Sequence, residues 1–304
     1  MDPEILAFDP VPGVAEEMEP GLRRILAPNP SPMTFRGTNT YVLGTTGLAV
    51  IDPGPDNDAH LEAILAAVAD DQHISHIIVT HAHLDHSPLA AKLSEATGAK
   101  IWAFGDAFSG RSAVMDDLAS QGFAGGGEGV DMHFHADHTV ADADVITGDG
   151  WTLEVLHTPG HFGNHIALAW GDVCLTGDHV MGWASSLVSP PDGDLTDFMA
   201  SCEKLQSRTW RVFHAGHGAP IEDPAGRLAW LVAHRKGREA EILQTLAQGP
   251  SRAYDLACRI YTETPPALIG AATRNVFAHL VDLTGRGLVK PTQTLESEAV
   301  FQLV

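Results

Sequence analysis

The chain has 304 residues, 44% of them hydrophobic, enough for one large α/β unit or for a body with a smaller appendage. Its formal net charge of −21, from 39 Asp and Glu against 18 Lys and Arg, repels polyanions and disfavours nucleic acid as a partner unless bound metals and a local patch overcome it. No run reaches the roughly 18 consecutive apolar residues of a membrane span, and the opening MDPEILAFDPVPGVAEEMEPG has acids and prolines where a secretory signal needs a basic start.

The expectation is a cytoplasmic protein with no membrane partner. The three cysteines, Cys174, Cys202 and Cys258, are odd in number and widely spaced, which fits reduced thiols.

After a Pro-rich lead-in, TYVLG and LAVIDPG read as paired strands joined by the turn TTG, a hairpin that opens the fold. HLEAILAAVAD (60–70) has helical apolar spacing, ISHIIVT (74–80) is a β-branched run, and SPLAAKLSEATG is a helix with Pro near its start and Gly at its end. Residues 104–129 are Gly-rich and weakly periodic, an irregular or partly helical insertion. WTLEVLH, HIALAW and DVCLTGD follow as short strands, LTDFMASCEKLQS as a helix, and WRVFHAG as a last strand ending in Gly and His.

From about Glu222 the texture turns helical. AGRLAWLVAHRKGREAEILQTLAQG is one amphipathic stretch closed by Gly249-Pro250, and two further helical segments lead to a β-tail, LVKP to AVFQLV. Helices closed by a short hairpin suggest a winged-helix-like module over residues 223–304, behind a body over 1–222. The acidity follows that division: 9 Lys and Arg stand against 31 Asp and Glu in residues 1–222, and 9 against 8 in the remainder. His234 and Arg235 fall on a polar helix face and are expected to be solvated, whereas Val276, Phe277, Leu280 and Leu283 have the spacing of a core stripe.

Two segments spell H-x-H-x-D-H: HAHLDH (81–86) and HFHADH (133–138). A metal site needs ligands fixed at about 2.0–2.2 Å, so its residues belong where a rigid element ends and the backbone can turn them inward. His81 to His86 lies between a buried-looking strand and a helix. His133, His135, Asp137 and His138 follow GGGEGVDM and look like surface loop, so this copy is read as a coincidence. Three further candidates stand at strand ends, His161 in HTPGHFGNH, Asp178 in LTGDH and His217 in HAGHG, with Gly160, Gly177, Gly216 and Gly218 allowing the backbone to turn closely around an ion.

H-x-H-x-D-H, TPGH, TGD and GHG in that order resemble the metallo-β-lactamase-fold hydrolase superfamily, and the likeness covers most of residues 34–222. GTNTYVLG…VIDPG, the later HRKGRE and the helical tail look more narrowly like its β-lactamase-like protein 2 group, some of which are ribonucleases. The resemblance implies a four-layered αβ/βα sandwich with two metals at one edge. It also implies that His81, His83 and His161 bind one metal, that Asp85, His86 and His217 bind the other, and that Asp178 bridges them. On this reading residues 1–222 are the catalytic domain and 223–304 a cap.

Imidazoles with carboxylates suit two Zn²⁺ per chain, with iron or manganese as alternatives, and two metals about 3.5–4 Å apart can hold a bridging hydroxide as nucleophile. Asp85 is expected both to bind metal and to orient that nucleophile. The leaving-group acid is sought in a metal-bound water, His165 or His179, each near a ligand in sequence. Trp183, Ser185 and Ser186 are candidates to border the substrate. The first expectation is a hydrolase of a small ester, thioester or lactone. A single-strand endoribonuclease is the second, and a mononuclear-iron persulfide dioxygenase the third. His83 stands where the di-iron oxidoreductase branch usually has Glu, which argues against that branch.

Overall fold

The computed structural model describes residues 7–123 and 129–304, so part of the insertion expected at 104–129 lies outside the described residues. Two sheets face each other, and each carries helices on its outer side. The first runs in the order β1 (Ala15–Glu19), β2 (Leu22–Leu26), β3 (Asn39–Leu43), β4 (Gly47–Ile51), β5 (His73–Ile78), β6 (Lys100–Ala103) and β7 (His138–Thr139). Its pairs are antiparallel up to β4 and parallel from β4 to β7. The second runs β12 (Val212–Ala215), β11 (Val173–Gly177), β10 (Ile166–Trp170), β9 (Thr152–His157) and β8 (Val145–Thr147), antiparallel except for the parallel pair β11–β12.

Side chains alternate across a strand, and here both faces of each sheet are covered, so the central strands read as unbroken apolar runs. In β4, Leu48 and Val50 pack outward with Ile64 of α1 (Asp58–Ala66) and Leu93 of α2 (Leu89–Thr97), while Ala49 and Ile51 pack inward against the second sheet. In β10, Ile166 and Leu168 point into the same inter-sheet core, and Ala167 and Ala169 face Phe198 and Leu205 of α4 (Leu195–Gln206). The result is the expected four-layered sandwich. The expected hairpin is β3–β4, with Tyr41 opposite Ile51. It does not open the fold, because the lead-in forms a hairpin of its own, β1–β2.

The insertion contains one described helix, α3 (Ala113–Ser120), whose Met115 and Leu118 join the core of the C-terminal part. That part begins with α5 (Pro224–Leu246), capped by Asp223. It continues through α6 (Ala253–Ile260) and α7 (Ile269–Gly285), and closes with a small sheet ordered β13 (Ser251–Arg252), β15 (Val300–Leu303), β14 (Val289–Pro291). Val276, Phe277, Leu280 and Leu283 are its buried stripe, as their spacing predicts.

The expectation for Arg235 is corrected. Its residue is 2% exposed, because α4 and α7 cover the face of α5 that carries it. The guanidinium donates to Ser186 O and Asn275 Oδ1 and lies over the Phe198 ring. His234 is half-buried, its ring stacked on Trp230 at 5.0 Å. No described helix is long and apolar enough to cross a membrane, and the three cysteines are free.

Candidate metal centre

Four loops that leave strand ends converge on one edge of the sandwich. The first follows β5 and carries His81 to His86 into α2; the others place His161 beyond β9, Asp178 directly after β11 and His217 just beyond β12. Asp52, at the end of β4 with a φ of 51°, anchors the first loop: its Oδ1 accepts from the Thr80 amide (2.7 Å) and its Oδ2 from Thr80 Oγ1 (2.8 Å). Asn164 Oδ1 accepts from the Ala82 amide at 3.2 Å, which ties that loop to the one bearing His161.

Two groups of donor atoms result. His81 Nε2 and His161 Nε2 lie 2.9 and 3.1 Å from His83 Nδ1. His217 Nε2 lies 3.1 Å from Asp85 Oδ2, 3.2 Å from Asp178 Oδ2 and 3.3 Å from His86 Nε2. Asp178 Oδ2 also stands 3.7 Å from His161 Nε2, so this carboxylate touches both groups. Ligand atoms of a tetrahedral ion at about 2.05 Å are separated by about 3.3 Å. The donor atoms of each cluster therefore stand at the right separation for a cation between them.

The far side of each ring fixes which nitrogen faces inward. His161 Nδ1 donates to Leu187 O at 2.7 Å and His217 Nδ1 to Gly37 O at 3.0 Å, which turns both Nε2 atoms toward the donor clusters. His86 Nδ1 is held by Asp52 Oδ2 at 2.9 Å. Asp85 Oδ1 and Asp178 Oδ1 are buried without a hydrogen-bond donor, a costly state for a carboxylate that a cation would relieve. The space is reserved by glycine: a Cβ on Gly216 would sit 2.3 Å from Asp178 Oδ1 and 2.9 Å from His86 Cε1.

Electrostatics divide the two groups. Burial, reinforced by neighbouring imidazoles, holds His81 well below the usual histidine range and His83 down to about 3, so the first group consists of neutral lone-pair donors. In the second, burial opposes the charged forms but the ion pairs overcome it: His86 and His217 keep Asp85 and Asp178 well below the ordinary carboxylate range, and the carboxylates push His217 up to about 10.

The seven predicted ligands therefore meet, whereas the two candidate acids do not face the cavity. His165 is fully buried; its Nδ1 bonds Thr158 Oγ1 (2.9 Å) and its Nε2 accepts from the Asp178 amide (3.1 Å), so it braces Asp178 and has no nitrogen left for a leaving group. His179 is also fully buried, against Phe198 and 3.5 Å from Cys202 Sγ. Ser186 spends its hydroxyl on the carbonyls of Asp178 and His179, while Trp183 and Ser185 do line the cavity. His133, His135 and His138 are exposed and lie in neither group. Sequence reasoning missed Asp52, Asn164 and Gly37; an acid closing a fully apolar strand, as in VIDPG, is the signal that points to the first.

Above the donors lies a cavity of about 210 Å³, walled by Met33, Met181, Trp183 and Leu187 and, from the C-terminal part, by Leu268, Ala271 and Asn275. Among the described lining residues there is no Lys, Arg, Tyr or Cys.

Residues 33–217 match the metallo-beta-lactamase superfamily, and residues 253–297 match the beta-lactamase associated winged helix domain. A Drosophila melanogaster protein named beta-lactamase-like protein 2 homolog is 32% identical over 90% of this chain and 91% of its own. An Aspergillus fumigatus protein named atrochrysone carboxyl ACP thioesterase is 28% identical over 75% of this chain and 66% of its own. The crystal structure of a metallo-beta-lactamase family protein from Thermus thermophilus superimposes with a TM-score of 0.75 at 25% identity, covering 95% of this chain and all of that one. The chain belongs to the metallo-beta-lactamase superfamily and is a metal-dependent hydrolase with a C-terminal winged helix.

Proposed function

We propose that the chain hydrolyses small thioesters, with His81, His83 and His161 holding one zinc ion, Asp85, His86 and His217 a second, and Asp178 shared between them. Bound there, the metals would supply Lewis acidity and bring the pKa of water into the neutral range. Asp85 lines the cavity and its Oδ1 has no donor, so it accepts a hydrogen bond from the attacking water and orients it. Met33, Leu187 and Leu268 hold the acyl group and exclude water from it. Residues 223–304 act as the cap, since Leu268, Ala271 and Asn275 complete the wall around the donors.

The observation that carries the thioester reading is the composition of that wall: beyond the donor clusters no described lining residue is an acid suited to protonate a leaving group. A thiol ionises near about 8.5 and departs as thiolate unaided, whereas an alkoxide or an amide nitrogen requires a proton. The thioesterase name of the Aspergillus relative supports the same reaction. Cleavage of RNA lacks support at the cavity, whose described wall has no cationic side chain for a phosphate, and a single iron would leave the second donor group idle.

The test is elemental analysis of protein purified without added metal, followed by assays on the acetyl thioester of N-acetylcysteamine, a lactone, an aryl ester and single-stranded RNA. Two zinc ions per chain and the highest kcat/KM on the thioester are expected. A single iron, or RNA as the preferred substrate, would overturn the reading.

A further inference from the structure

Trp183 closes the metal cavity on one side and on its other side faces a second cavity of about 320 Å³, walled by Phe8, Phe35, Ile221 and Arg227. The rings form a ladder: Phe35 stacks on Trp183 at 5.2 Å and Phe8 on Phe35 at 6.1 Å. Gly218, next to His217, leaves room for the indole, because a Cβ there would meet Trp183 Cδ1 at 2.8 Å. Phe35 sits at a φ of 57°, a conformation that an aromatic residue adopts only when its surroundings impose it. Two residues on, Gly37 offers the carbonyl that orients His217. One constrained turn thus serves the metal centre and the aromatic wall together.

The two polar side chains that line this second cavity, Trp183 and Arg227, are donors. Trp183 Nε1 is buried and has no acceptor among the described residues. Arg227 donates Nε to Met181 O (2.7 Å) and Nη2 to Ala184 O (2.6 Å) and lies over Trp230, but no described carboxylate pairs with it. Burial alone pushes the guanidinium down to about 10, with no acid nearby to raise it. Arg24 and Arg36, by contrast, are paired with Glu16 and Asp9. Arg227 is the only charged side chain among the described residues that wall this cavity, and a bound anion would supply the counter-ion it lacks.

We infer that the second cavity receives the thiol half of the thioester, and that this thiol carries an anionic group, a phosphate or a carboxylate, which pairs with Arg227 while its chain lies along Phe35 and Trp183. The inference rests on the thioester reading for the identity of the ligand. Trp183 is then the partition over which the scissile bond lies, with the acyl group on the metal side and the leaving thiol on the other.

Two measurements separate this inference from the reaction itself. S-methyl-coenzyme A and S-methylglutathione, thioethers that cannot be hydrolysed, are titrated against tryptophan fluorescence of the intact protein. One or both should quench wild type, and the preferred one identifies phosphate or carboxylate. The quench should be lost in Trp183→Phe, and affinity should fall about tenfold in Arg227→Gln with partial rescue in Arg227→Lys. In parallel, the ratio of kcat/KM for the acetyl thioester of coenzyme A or glutathione to that of neutral N-acetylcysteamine should drop about tenfold in Arg227→Gln. A ratio unmoved by Arg227→Gln, or no binding of either thioether, overturns the inference and leaves the thioester reading intact. Arg227-dependent binding with no thioester turned over upholds the anion site and removes the thioester reading.

Discussion

His81 to His86 and His133 to His138 share a pattern of letters and nothing of the surroundings that make it a ligand set. In the first copy His81, His83, Asp85 and His86 are at most 6% exposed, with Thr80, Asp52 and Asn164 bracing the loop. In the second the three imidazoles are exposed and the acid is already employed. Asp137 Oδ2 accepts from the Ile101 amide at 2.9 Å and caps the start of β6, and His138 lies in a two-residue edge strand with its ring stacked on Trp102. His135 Nδ1 faces only the carbonyl of His133, at 3.2 Å. The difference teaches that spacing decides which rings can meet, while ligation depends on what holds the opposite nitrogen. A histidine whose far side is pinned by a buried partner has its lone pair aimed in advance, and one in a solvated loop does not.

That contrast can be broken by substitution. The largest effect is expected for His81→Ala and Asp85→Asn, each lowering kcat/KM by about a thousandfold or more, since several kcal/mol of metal-assisted stabilisation is lost. Asp85→Asn should lose more turnover than metal when compared with wild type at matched occupancy by elemental analysis. Equal metal loss in His133→Ala would show that the two copies are not distinct in the way described.

Asp52→Asn changes none of the proposed ligands, yet it removes the anchor of His86. Metal affinity in a competition titration with a chelating dye should weaken by roughly 10- to 100-fold. An unchanged affinity would mean that the loop is rigid without its brace.

Acid should sharpen the comparison in the metal-stripped protein. His81, His83 and His161 fold below the ordinary histidine pKa, His83 at about 3, so the unfolded chain binds more protons between 6.5 and that value. Their stabilisation is complete above 6.5 and is lost as pH falls through that window. His217, raised to about 10, acts in the opposite sense, its contribution complete below 6.5 and lost as pH rises through 10. Melting temperatures by circular dichroism should therefore drop from about pH 6.5 towards about 4, and a His133→Ala, His135→Ala double variant should follow the same slope. The smallest effect belongs to that double variant at neutral pH, with metal content and kcat/KM within about twofold of wild type.

The proposed ligands were legible because they stand in loops that follow apolar strands, and His161, Asp178 and His217 lie beside a glycine, local signals that survive in the letters. Arg235 was not, because its burial is decided by Phe198, Ser186 and Asn275, which arrive from three distant elements. His165 shows the same limit: proximity to His161 in sequence suggested a proton donor, whereas the β10 register turns its ring under Asp178 instead. The β1–β2 hairpin was hidden by composition, since β1 is AEEME, an edge strand whose charges leave no apolar alternation. β6 is only four residues long and begins with an exposed lysine, too short for a periodic signal.

Leu268, Ala271 and Asn275 have a consequence for how this protein can be watched. They reach the cavity from the 3-10 turn Pro266–Leu268 and the first turns of α7, which supply none of the clustered donors. Amide hydrogen exchange across residues 266–276 should slow when the cavity fills and stay indifferent to whether the donors bind zinc, iron or manganese. Those amides are a built-in occupancy gauge, readable by mass spectrometry without label or chromophore, and they separate ligand arrival from bond cleavage in time.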